Sequence, residues 1–111
     1  MSNYNKEGNN ILQKLKSNIL ICEDTVLRFK KIESPSFICS EHLKLINIFQ
    51  ELITAYSYQL NSINDMSEII NMDLFLNGKN MENGELEKLG PILLSILTKS
   101  SNLAFNSNIQ L

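Results

Sequence analysis

The sequence predicts an all-α chain, a long antiparallel helical hairpin closed by a third, C-terminal helix. Three observations carry that expectation. Apolar residues recur at alternating steps of three and four over two long stretches, a spacing that places them on one helical face and that no strand reproduces. Pro35 falls between these stretches, and Gly78, Gly84 and Gly90 follow the second. At 111 residues the chain has the size of one domain and is too short for two ordinary cores, so a single helical domain spanning 1–111 is expected.

The first helix is predicted over about residues 9–32. Leu12, Leu15, Ile19, Cys22, Val26 and Phe29 form a heptad seam. Lys30 and Lys31 sit in its last turn, where cations meet the negative end of the helix dipole. Ser34-Pro35-Ser36 ends it, because proline lacks the N–H that the ladder needs and pushes its predecessor out of helical geometry. Phe37 and Ile38 are expected to pin the linker over the bundle end, and Ser40 before Glu41 reads as an N-cap.

A second helix follows over about 41–76. Its main stripe is Ile46, Phe49, Ile53, Tyr56, Leu60, Ile63, Ile70 and Leu74, broken only at Ser67. A second stripe runs one position back through Leu45, Ile48, Leu52, Ala55, Met66, Ile69 and Leu76, and so wide an apolar arc implies more than one neighbour. Such a helix would be roughly 54 Å long against roughly 36 Å for the first, at 1.5 Å per residue. Asn77-Gly78 and Asn83-Gly84 read as turns, and a third helix is predicted over about 85–104 with a kink or fresh start at Gly90-Pro91. Its apolar face is Ile92, Leu93, Ile96, Leu97 and Leu103.

The mismatch in length suggests a partner-binding row. A short third helix would leave Leu45, Ile48 and Leu52 uncovered, with Met66 and Ile69 further along the same stripe, and an exposed row of that kind suits a helix-on-helix contact. Lysine and arginine dominate the first helix and carboxylates the second, a modest encouragement to pairing because exposed ion pairs contribute only about 0–1 kcal/mol each.

Signs of catalysis are few. His42 is the one histidine, and with no nucleophile or orienting group patterned around it, it reads as a surface residue. No two carboxylates mark a general acid and base, and no glycine loop precedes a Lys-Ser or Lys-Thr. Cys22 and Cys39 are too few for a disulfide framework or a zinc site; Cys22 belongs to the first seam and Cys39 to the linker. No enzyme, cofactor or metal is therefore expected. Met66, Met72 and Met81 read as core filler, with a flexible groove as the alternative. A net charge of −2 removes the electrostatic drive toward nucleic acid. The polar opening and the longest dense apolar run, Ile92 to Leu97, predict neither a signal peptide nor a membrane span, and hence a cytoplasmic chain, or one exported with a partner. Asparagine at about one residue in seven reflects a coding bias toward A and T.

The seam from Leu12 to Phe29, the Ser-rich break, and Leu45-x3-Phe49-x2-Leu52-x3-Tyr56-x3-Leu60-x4-Asp65 together resemble the small helical-hairpin proteins of Gram-positive type VII secretion, in particular the small partners encoded beside LXG toxins. The resemblance covers Leu12 to Leu76. It departs from the family in lacking tryptophan, and with it the Trp-x-Gly turn, and in lacking the Tyr-x-x-x-Asp/Glu pattern after the second helix. It implies a secretion partner or targeting chaperone that binds the helical region of a toxin. Two alternatives stand beside it. A cytoplasmic immunity or antitoxin protein would use Asp65, Glu68 and Asp73 against a basic toxin, and a structural or regulatory homodimer would pair the surplus stripe of the second helix with its own copy.

Overall fold

A computed structural model describes the backbone of residues 2–110 and the side chains of residues 11–106. The chain is all-α. Helix α1 spans Ser2–Lys31, a 3₁₀ turn Ser36–Ile38, helix α2 Cys39–Asn61 and helix α3 Met72–Gln110.

The predicted seam of α1 meets α2. Leu15, Cys22 and Val26 are buried and Leu12, Ile19 and Phe29 half-buried. Burial raises the Cys22 thiol above its ordinary pKa, as befits a small core hydrophobe. At the C-terminal end of α1, His42 Nε2 donates to the Phe29 carbonyl at 2.8 Å, and Phe29 packs on both His42 and Phe49 with ring centroids 5.9 and 5.8 Å apart. His42, expected on the surface, is thus a half-buried clasp that satisfies a carbonyl otherwise left open at the helix end. Ser40 lies inside α2, whose entry comes from the 3₁₀ turn with Ile38 N–H donating to Pro35 O at 3.1 Å.

Helix α2 stops at Asn61, fifteen residues short of the expected 76, and the turns expected at Asn77-Gly78 and Asn83-Gly84 lie within α3. Local polar side chains explain the shift. Asn64 Oδ1 accepts from the N–H groups of Met66 and Glu68 at 2.9 and 3.0 Å, so the backbone has partners there that a helix would not supply. The Ser62 carbonyl accepts from Ile70 N–H and Asn71 N–H, Ser67 takes a left-handed φ of 60°, and Ile63 pairs with Ile69 in an isolated bridge. Asn71 Oδ1 then accepts from Leu74 N–H at 3.0 Å, the N-cap bond of α3.

The lengths are consequently the reverse of those expected. Helix α2, with 23 residues, is roughly 34 Å long, while α1 and α3, with 30 and 39, are roughly 45 and 58 Å. The short helix is central. Helix α1 lies against one face of α2 and α3 against another, both antiparallel to it, and among the described residues no Cα pair of α1 and α3 comes within 8 Å. The two apolar stripes of α2 serve the two neighbours: His42, Phe49 and Tyr56 point toward α1, while Ile48, Leu52, Ala55 and Gln59 point toward α3. Their directions differ by about 100° around the helix.

Helices α2 and α3 approach tightly at Gly78. A Cβ there would lie 2.7 Å from the Ala55 carbonyl oxygen and 2.8 Å from Gln59 Cγ, so the backbones can meet only because the side chain is absent. The other end of the α2–α3 contact is closed by charge. Glu41, buried, accepts from Lys99 Nζ at 2.5 Å and Ser95 Oγ at 2.9 Å. The Lys99 hydrogen bond, with the backbone N–H of Glu41 second, holds the carboxyl down at about 2. A depressed pKa stabilises the fold above the unfolded value and loses that stabilisation as pH falls toward the folded one. Wild-type chain should therefore lose urea resistance from about pH 4.5 down to about pH 2 by more than Glu41→Gln does; parallel profiles would show the clasp to be idle.

Candidate interaction surfaces

Leu45, Ile48 and Leu52, expected as an uncovered partner-binding row, are core residues. Ile48 and Leu52 are each 2% exposed, because α3 is 39 residues long and covers the stripe that a short third helix would have left bare. Met66 and Ile69 are exposed, but on the connection between α2 and α3 and not on a helix. The five residues do not form one surface.

Sequence reasoning missed most of what is exposed. Among the described residues, eighteen large apolar side chains are exposed against nine buried hydrophobic ones. The accessible surface is 7845 Å², whereas a compact monomer of this mass exposes about 6,200 Å². The excess is about 1,600 Å². The radius of gyration tells the same story, at 18.7 Å against about 13 Å for a compact chain of this length. Long outer helices around a short central one leave their outward residues with nothing to pack on.

Two exposed regions differ in charge. At one end of the bundle, Met66, Ile69, Ile70, Met72 and Leu76 are exposed over eleven residues, with Met66 at 68%, beside Asp65, Glu68 and Asp73. No Lys, Arg or His occurs from Leu45 to Gly78. The bonds to Asn64 and Ser62 hold this segment in one shape, so the apolar side chains are presented without further ordering of the backbone. The signal for it lay in the sequence as the basic-free stretch together with Asn64 and Asn71, which compete with helix. The second region is the surface of α3 left uncovered by α2, where Leu86, Leu93 and Leu97 on one flank and Leu94 and Phe105 on the outward side are exposed. From Leu89 to Gln110 the only charged residue is Lys99, and Glu41 neutralises it.

Two recesses flank the central helix. A groove of about 750 Å³ between α2 and α3 is floored by Ile48, Pro91 and Ile92 and walled by Leu43, Lys44 and Glu87. A smaller one of about 280 Å³ lies where α1 and α3 side chains meet over Tyr56 and Gln59. There Gln59 Nε2 donates to Glu82 Oε1 at 3.0 Å, and burial, followed by the nearby Glu82, pushes the Tyr56 hydroxyl up to about 12.

Among the described residues no three His, Cys, Asp or Glu side chains gather to hold a metal ion, and no helix is long and apolar enough to cross a membrane. Met81 is half-buried, while Met66 and Met72 are exposed, so only one of the three methionines expected as core filler is partly so used. No protein-family model matches the chain, and no curated protein or solved structure shows significant similarity to it.

Proposed function

We propose that the chain is a non-catalytic protein-binding module whose partner docks on the acidic, apolar end formed by residues 62–76. The observation that carries this reading is the exposure of Met66, Ile69, Ile70, Met72 and Leu76 within one short segment. Met66, Ile69 and Ile70 supply the apolar contact, and Asp65, Glu68 and Asp73 select a basic counterpart and speed encounter with it.

The helical-hairpin resemblance suggests the kind of counterpart, a helical targeting region of a toxin that this chain escorts to export. A second reading is favoured by the charge of the same end: an immunity protein that blocks a basic toxin surface with its carboxylates. Titration calorimetry with the product of a neighbouring toxin gene tests the shared claim. Met66→Glu and Ile70→Glu should each weaken binding at least tenfold while leaving the helical circular dichroism unchanged, since both side chains are exposed. Unchanged affinity in both variants would remove this end as the docking site. Inhibition of the toxin in a growth assay separates immunity from escort.

A further inference from the structure

We infer that the flank of α3 carrying Leu86, Leu93 and Leu97 is a self-association surface, on which a second copy of this chain packs antiparallel about a two-fold axis at the level of position 95. The inference extends the reading that the uncovered apolar area serves protein contact, and places a different occupant on a different face.

Three observations point to a second copy. The first is register. Leu86, Gly90, Leu93, Leu97, Ser100 and Ala104 recur at steps of four and three, the seam of a helix pair, on a flank of α3 about 100° around the helix from Glu85, Leu89 and Ile92, which meet α2. Reversed about position 95, the seam matches itself. Leu93 meets Leu97 of the second copy, Gly90 meets Ser100, and Leu86 meets Ala104, so leucines meet at the centre, two small residues beside them, and a leucine faces an alanine at each end. A two-fold contact requires such self-matching, because each residue must suit the one related to it by the axis.

Charge is the second. In an isologous interface residue i meets residue j and j meets i, so the pairing is tolerated only where the register sets no like charges against each other. Over residues 86–104 the charged residues are Glu87, Lys88 and Lys99; Lys88 is bound to Glu85 at 2.8 Å and Lys99 to Glu41. The reversed register sets Glu87 against Leu103 and Lys99 against Pro91, and no like pair meets. The acidic end at 62–76 would repel its own copy and is unsuited to this role.

Exposure is the third. Leu86, Leu93 and Leu97 of this seam stand in solvent in the single chain, an apolar row of the kind that marks a protein contact. Leu97, 64% exposed, and Leu93, 49% exposed, are the side chains the pairing would cover at its centre.

Sedimentation equilibrium of the full chain, in reductant because Cys39 is exposed, tests the inference. The expected mass is twice 12.7 kDa, falling to 12.7 kDa for Leu93→Glu and for Leu97→Glu, with helical circular dichroism retained in at least the more exposed Leu97 variant. Leu20→Glu, an exposed change on α1, should keep the doubled mass. Mixing Leu93→Lys with Leu97→Glu should restore pairing, since the antiparallel register places those two positions opposite each other. A wild-type chain that stays at 12.7 kDa from micromolar to millimolar concentration, or Leu93→Glu and Leu97→Glu chains that remain dimeric, would overturn it. The separate partner reading is unaffected by that result, because Met66→Glu acts at the other surface.

Discussion

Ile48→Asp should leave the chain without stable helical structure at 25 °C. Ile48 is 2% exposed in the α2–α3 contact, and removing its apolar bulk alone, as in Ile48→Ala, is expected to cost about 2–5 kcal/mol. The aspartate adds the penalty of burying an unpaired carboxylate, several kcal/mol in practice, or forces the helices apart to hydrate it. Domains of this size are stable by only about 5–15 kcal/mol in total, and this one has few buried residues to draw on. Far-ultraviolet circular dichroism with urea titration reads the outcome. A folded Ile48→Asp chain that had merely lost a partner would mean that α3 does not cover this stripe.

Gly78→Ala and Gly84→Ala should change stability in opposite directions. Both glycines lie inside α3, where alanine is the better helix former by about 1 kcal/mol. At Gly84 nothing lies within 4 Å of the new methyl group, so the propensity gain should appear nearly whole as a raised melting temperature. At Gly78 the methyl group would press on the Ala55 carbonyl oxygen, which belongs to helix backbone and cannot turn aside. Overpacking of that kind typically costs about 1–3 kcal/mol, enough to outweigh the gain. Equal and positive shifts at both sites would show that α2 and α3 do not approach closely at Gly78.

The same glycines explain why α2 and α3 begin and end where the sequence does not predict. Both glycines follow asparagine, and an Asn-Gly pair in isolation is a turn signal, because both residues tolerate left-handed backbone. Gly78 is instead retained where two backbones touch, a reason that exists only once α2 lies alongside. The real reversal is made by Ser62, Asn64 and Asn71, whose bonds to nearby backbone replace helical ones. Their composition announced this weakly, since the apolar period runs on through Ile63, Ile70 and Leu74 and masks it. Glu41 carries a similar lesson: beside Ser40 it reads as a first-turn charge, and nothing local indicates that Lys99 will meet it from 58 residues away.

Periodicity by itself determined that the chain is helical, that Leu12 to Phe29 form one seam, and that the helix after Pro35 has two apolar faces, because these follow from 3.6 residues per turn acting within one segment. Tertiary structure decided which helix is central, that Leu45, Ile48 and Leu52 are interior, and that Met66, Ile69 and the leucines of α3 remain outside. A stripe states that a side chain will be buried by something. What buries it depends on where the chain reverses, and that balance between local polar bonds and continued helix is settled by the packing of distant segments.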